Sequence, residues 1–168
     1  MRNEALGVDI GGVIIDRIND GTDTSFFSEN YLNTSAVADV FEVLEALVRR
    51  RFVNRVFLVS KCGLDIQNKT MHWLDHHRFF DRTGIKRDHV RFCRKRSDKA
   101  DICKKLDITH FIDDRLEVLS YLTTVGDRFL FRPNQAEMQK YSSFLSDRIY
   151  VVQHWQEIAD QLLPKETP

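Results

Sequence analysis

An α/β fold built on a doubly wound parallel sheet of about five strands, with helices on both faces, is what this sequence predicts. Short apolar runs alternate with amphipathic stretches throughout the chain. Several runs, such as Val56-Phe57-Leu58-Val59, are apolar at every position, as strands buried on both faces are. Run after run also ends in a small or acidic residue, and in open parallel sheets ligands bind at that strand edge.

The 168 residues suffice for one domain, expected over 1–163, with no internal repeat and a disordered tail at 164–168. Equal numbers of basic and acidic residues, 25 each, leave no net field to favour nucleic acid or an anionic membrane. No apolar stretch reaches membrane-spanning length, and Asp9 interrupts the first apolar run, so neither a span nor a signal peptide is expected. Cys62, Cys93 and Cys103 are widely spaced and odd in number, which suits neither a disulfide framework nor a zinc site; a cytoplasmic setting follows.

The first strand runs through Leu6-Gly7-Val8 into Asp9, then Gly11-Gly12, then Val13-Ile14-Ile15-Asp16. Two glycines after a carboxylate let backbone groups approach a bound group closely. Residues 17–35 are polar and turn-rich, a lid-like loop, with Phe26, Phe27, Tyr31 and Leu32 expected to tuck against the body. Val37, Val40, Phe41, Leu44, Leu47 and Val48 recur at helical spacing over 36–51, behind Thr34 or Ser35 as cap. A second strand follows at 55–60, ending in Ser60-Lys61, and a helix over 64–77 carries Ile66, Thr70, Trp73 and Leu74 on one side.

Phe79-Phe80 and Gly84 lead to a short strand around Val90-Phe92. Ser97 and Asp98 open the next helix, with Ala100, Cys103 and Leu106 inward. Ile108–Ile112 is a buried strand ending in Asp113-Asp114. A short helix bearing Leu116, Leu119 and Leu122, a run at 129–131, a weakly patterned stretch at 132–148, a strand at 149–152 and a helix with Trp155, Ile158 and Leu162 complete the chain.

At one sheet edge this order gathers Asp9, Ser60-Lys61, Lys99 and Asp113-Asp114. Three carboxylates brought together repel one another unless a cation sits among them, and carboxylates with a phosphate oxygen are the usual setting of Mg²⁺. Each residue has an ordinary alternative as well. Ser60 would cap the following helix, Lys99 would be a solvated lysine, and Asp113-Asp114 would open the next helix. The basic stretch from Arg91 to Lys105 reads more simply as a solvated helix start than as a nucleic-acid patch. His72, His76 and His77 lack a carboxylate nearby in sequence, and Cys62 reads as a small buried thiol.

Asp9-Ile10-Gly11-Gly12-Val13, Ser60, Lys99 and Ile112-Asp113-Asp114 resemble, in order and spacing, the four motifs of the haloacid-dehalogenase-like superfamily of phosphatases and phosphotransferases. Asp16, Asp98-Lys99, Asp114-Arg115, Leu130-Phe131-Arg132-Pro133-Asn134 and Trp155 look most like its deoxyribonucleotidase branch. The resemblance implies a fold without a substantial cap and an Asp9 nucleophile forming an aspartyl-phosphate. Gly11, Gly12, Ser60 and Lys99 would contact substrate, and Mg²⁺ would be held by Asp9, the Gly11 carbonyl and Asp113, with Asp114 supporting the metal or orienting Lys99. Lys61, to which no family role carries over, is a candidate substrate contact by its place beside Ser60 at the strand end. The implied partner is a phosphorylated small molecule or an exposed phosphate group, nucleic acid entering only as a bearer of such a group.

Gly11 departs from the pattern, because the family places there the Asp that protonates the leaving group and activates water. The expected consequences are a substrate needing no such acid, a replacement such as Asp16, Asp20 or Asp23, a different reaction, or a phospho-ligand-binding protein with little turnover. A distant alternative is an actin-like sugar-kinase fragment, which Leu6-Gly7-Val8-Asp9-Ile10-Gly11-Gly12 also resembles, although it leaves Asp113-Asp114 unexplained.

Overall fold

Strand propensity places β1 at Leu6–Val8, β2 at Val56–Lys61, β3 at Val90–Cys93, β4 at His110–Asp113, β5 at Asp127–Phe131 and β6 at Ile149–Val152, with β1 and β4 buried throughout. The structure is a computed structural model that describes residues 3–17 and 28–165. All six strands form one parallel sheet in the order β3-β2-β1-β4-β5-β6, one strand more than the expected five. The short edge strand β3, although half-buried over three of its four residues, pairs fully with β2 and is part of the same sheet. Chain progression runs outward from β1 in both directions, so the topological switch point lies between β1 and β4.

Alternation along the strands divides the core between the two faces. Leu6, Val8, Val56, Leu58, Ile112, Phe129 and Phe131 pack on one side with α1 (Val40–Arg50), Trp73 and Leu74 of α2 (Leu64–His76), and α7 (Trp155–Leu162). Ala5, Phe57, Val59, Phe111 and Leu130 pack on the other with α4 (Asp98–Lys105) and α5 (Leu116–Tyr121). Helices therefore cover both faces.

Several local expectations shift. Helix α1 starts at Val40 rather than 36, and its N-cap is Asp39 in a left-handed conformation; Thr34 and Ser35 do not cap it. Ala36 instead bridges to Ile15, and tertiary pairing of that segment displaces the helix start. Phe79–Thr83 is a short helix, α3, closed by Gly84 at φ 77, where the sequence pattern shows only a connection. Within the weakly patterned stretch, Asn134 accepts from the N–H groups of Ala136 and Glu137 and caps α6 (Gln135–Lys140). Ser97 makes no side-chain cap, while Asp98 accepts from the Lys95 N–H at 3.1 Å. Tyr31 and Leu32 are half-buried as expected, with Tyr31 against His72 at 3.1 Å. Phe26, Phe27, Asp20 and Asp23, together with most of the lid-like loop and the end of the tail, lie outside the described residues.

Gly7 lets Phe111 lie against β1. A Cβ at position 7 would stand 2.4 Å from Cδ2 of Phe111. Gly7→Ala is accordingly expected to cost about 1–3 kcal/mol through overpacking, lowering the thermal midpoint by about 2–4 °C per kcal/mol. An unchanged midpoint in a thermal melt would contradict this packing.

Candidate active site

Asp9 is the residue after β1, and its backbone N–H donates to the Ile112 carbonyl at 2.9 Å, so β4 fixes where the carboxylate leaves the sheet. The chain then closes a tight turn, with the N–H groups of Ile14 and Ile15 on the Ile10 carbonyl at 2.9 and 3.1 Å and that of Gly12 on Ile15. Trp155 pins the turn from below, its indole N–H donating to the Val13 carbonyl at 2.9 Å. Gly12 sits at φ 79, and a side chain there would run into Asp114 and Arg17. At Gly11 the space where a Cβ would point is open.

The remaining strand ends bring the other groups to the same place. Ser60 lies within β2, buried, and does not cap α2, whose N-cap is Gly63. Asp113 ends β4, and its Oδ1 accepts from the Arg115 N–H at 3.0 Å. Lys99 is in the first turn of α4 and is only 2% exposed, so it is no solvated helix lysine. Its Nζ donates to Asp9 Oδ1 at 2.9 Å and to Asp113 Oδ2 at 2.8 Å. Asp114 is also buried, and its Oδ2 meets Arg17 at 2.8 Å.

Electrostatics follow from one buried ammonium shared among crowded carboxylates. Burial alone would pull Lys99 down, but Asp113 and Asp9 together hold it above the ordinary lysine range, so it stays charged. Burial and the neighbouring Asp9 push Asp113 up to about 6 despite Lys99. Burial, Asp9 and Asp113 push Asp114 up to about 8, against the pull of Arg17. Lys99 and Arg17 together therefore do not offset the cost of ionising Asp113 and Asp114 in this crowded, buried place, a cost that a further cation would relieve.

Among the described residues, Asp9, Asp113 and Asp114 form the group able to hold a metal ion, each offering a carboxylate oxygen within 4.8 Å of the others. Crowded carboxylate oxygens are hard donors of the kind that suit Mg²⁺. Of the three histidines on α2 and at its end, His72 and His76 are exposed and His77 is half-buried. His77 donates to the Leu32 carbonyl at 2.8 Å and lies against Trp73, and His72 meets Tyr31. Cys62 is buried beside the site, and burial raises its thiol, so it is poorly suited to act as a nucleophile.

A cavity of about 320 Å³ opens over the cluster, and Asp9, Gly11, Gly12, Ser60, Lys61, Lys99, Asp113 and Asp114 all line it. Four further charged residues share its wall: Asp16, Arg17, Arg96 and Arg115. The sequence pattern marks none of the three arginines as a site residue, and Arg115 enters it only as a neighbour of Asp114 in the family resemblance. Arg17 reads as the start of a polar loop and Arg96 as part of a basic run; the one available signal is Arg115, directly after the strand-end acidic pair.

No family model matches the sequence, and no curated protein matches it. Solved structures do. The chain is similar to D,D-heptose 1,7-bisphosphate phosphatase from B. bronchiseptica complexed with magnesium and phosphate, at 16% identity over 95% of this chain and 97% of that one, TM-score 0.65. The corresponding phosphatase from Burkholderia thailandensis follows at 13% identity, 94% and 97% coverage and TM-score 0.61. A haloacid dehalogenase-like family hydrolase from Xanthomonas campestris shares 11% identity over 94% and 93%, TM-score 0.58. The fold is therefore one that phosphatases use, over nearly the whole length of each.

Proposed function

We propose that the chain is a Mg²⁺-dependent phosphohydrolase or phosphotransferase of the haloacid-dehalogenase-like superfamily, acting on a phosphorylated small molecule through an aspartyl-phosphate on Asp9. The observation that carries this reading is the shared ammonium: Lys99 bonds Asp9 and Asp113 together at the switch point of the sheet. That contact holds the Asp9 carboxyl in the mouth of a cavity sized for a small ligand. The phosphatase fold, four motifs in order, and the cluster of oxygen donors all support it. The reading takes residues 1–163 as one domain without a substantial cap, in a cytoplasmic protein. The sugar-kinase alternative gives no account of Asp113 and Asp114 beside Asp9.

Asp9 attacks phosphorus, forming an O–P bond as the bond to the leaving oxygen breaks; water then attacks the aspartyl-phosphate, releasing phosphate and restoring the carboxylate. Lys99 has three N–H donors and spends two on Asp9 and Asp113, which leaves one for a transferring phosphoryl oxygen. Ser60 offers a hydroxyl to the same group. Asp9, Asp113, Asp114 and the Gly11 carbonyl would hold Mg²⁺, which would offset the negative charge on the transferring phosphoryl oxygens.

Gly11 cannot move a proton, and Asp16 takes that role. The closed turn between Ile10 and Ile15 returns the chain to Gly11, with Ile15 bridged to it, so Asp16 lines the cavity beside Asp9. Arg132 pairs with its carboxylate at 3.8 Å.

Phosphate release from p-nitrophenyl phosphate and from alkyl phosphates tests the reading, with Mg²⁺ and after chelation. Turnover is expected with Mg²⁺ and lost with the chelator. Asp16→Asn should slow alkyl phosphates on the order of 10²-fold, with a smaller loss on p-nitrophenyl phosphate, whose leaving group needs little protonation. Because the Cβ direction at residue 11 is open, Gly11→Asp should fold and, with Asp16 already in that role, change turnover by less than about tenfold. A wild type that is inactive while Gly11→Asp turns over would favour the second reading, a phospho-ligand-binding or regulatory protein, which the missing acid at Gly11 motivates. Turnover indifferent to chelation would remove the metal.

A further inference from the structure

The cavity holds more positive charge than the transfer of one phosphoryl group uses. Five cations line it: Arg17, Lys61, Arg96, Lys99 and Arg115. Three have partners, Arg17 on Asp114, Lys99 on Asp9 and Asp113, and Arg96 on Glu117 at 2.8 Å. Lys61 and Arg115 have no ion pair or side-chain hydrogen bond among the described residues.

Their placement follows from the sheet. Lys61 is the last residue of β2, and Arg115 follows the Asp113-Asp114 pair at the end of β4. Those strands flank β1 on its two sides, so the two backbones stand two strand spacings apart, about 10 Å, with Asp9 between them. The Arg115 backbone is held by its N–H on Asp113, which fixes where the guanidinium starts, and Lys61 is held by its register opposite Cys93. The cavity volume exceeds what a bare phosphoryl group occupies and falls in the range of small-molecule sites.

We infer that Lys61 and Arg115 form a second anion subsite, and that the substrate is a small phosphomonoester whose leaving portion carries a further carboxylate or phosphate. Resting on the reading of Asp9, Ser60 and Lys99 as the phosphoryl site, the inference adds the substrate class. Arg115 lowers the neighbouring Asp114 carboxyl through its charge but, like Lys61, makes no ion pair with it, and an ammonium and a guanidinium lining one small cavity from strand ends on either side of β1 are complementary to an anion at the distal end of a bound ester. Arg115 supplies a planar fork that meets either a carboxylate or a phosphate with two parallel hydrogen bonds, and Lys61 supplies a point charge on a flexible stem.

Calorimetric binding of three non-hydrolysable probes in the presence of Mg²⁺ tests this on the whole chain: phenylphosphonate, 4-carboxyphenylphosphonate and 1,4-phenylenediphosphonate. At least one doubly anionic probe is expected to bind about tenfold or more tighter than phenylphosphonate, the size of one good charge-assisted contact. Which of the two gains more identifies the second group as carboxylate or phosphate. Lys61→Ala and Arg115→Ala should each shrink that preference, and the double charge reversal Lys61→Glu with Arg115→Glu should invert it. Both positions are outside the core, and circular dichroism checks that the variants fold. Equal binding of all three probes by the wild type, or a preference that survives both single variants, overturns the subsite while phenylphosphonate binding leaves the phosphoryl site standing. Failure of all three to bind overturns both.

Discussion

Lys99→Met is expected to destabilise the protein by about 3–5 kcal/mol in urea or thermal unfolding and to reduce any phosphoryl turnover by at least about 10²-fold. The methionine fills nearly the same volume, so packing is retained and the loss is electrostatic. Without the ammonium, Asp9 and Asp113 face each other almost shielded from water, with side chains 11% and 1% exposed. Removing one partner from a buried ion pair strands the other, and that is the expensive case. Here two carboxylates are stranded at once. Mg²⁺ should restore part of the stability in the variant, and more than it adds to the wild type, because the divalent charge then meets an uncompensated cluster. The activity loss has a separate cause, the missing donor to a phosphoryl oxygen. A stability change below about 1 kcal/mol would mean that Asp9 and Asp113 are not close together at 2.9 and 2.8 Å from one ammonium, and the site as described would fall.

Asp9→Asn separates chemistry from stability in the opposite sense. The amide has the same shape and still accepts from Lys99, while one negative charge leaves a crowded group that raises the Asp113 and Asp114 carboxyls. Folding stability in the absence of metal should hold or rise slightly. Turnover should drop by at least about 10⁴-fold, the order of loss when a covalent catalytic unit is disabled. Phosphate release by wild type and variant, alongside thermal melts of both, checks the pair of expectations. Residual turnover within about tenfold of wild type would place the nucleophile elsewhere; a large fall in stability would mean that the carboxylate is needed for folding rather than for attack.

These two substitutions have different visibility in the sequence. Asp9 is legible because a strand that ends in an acidic residue followed by two glycines is a local pattern, and so are Ser60 and Asp113-Asp114 at their own strand ends. Lys99 is recognisable by its order among the motifs, yet taken alone it reads as an ordinary helix lysine in a basic stretch. Its contact with Asp9 spans 90 positions in the chain, and no window of sequence contains both residues. The ammonium is buried because α4 packs on the face of the sheet from which Asp9 and Asp113 emerge, a consequence of strand order rather than of local composition.

By itself the sequence determined the order and kind of the elements, because periodicities of 2 and 3.6 are properties of short segments, and it determined which polar residues stand at strand ends. Only the tertiary structure decided which of these groups touch. It set the helix start at Val40 by pairing Ala36 with Ile15, and formed α3 and α6 where packing and one Asn cap outweigh a weak pattern. It also brought Arg17, Arg96 and Arg115 to one cavity wall, although each side chain alone is indistinguishable from a solvated surface cation. The physical reason is that burial and charge pairing are relations between distant segments, fixed only when the strands take their places beside β1.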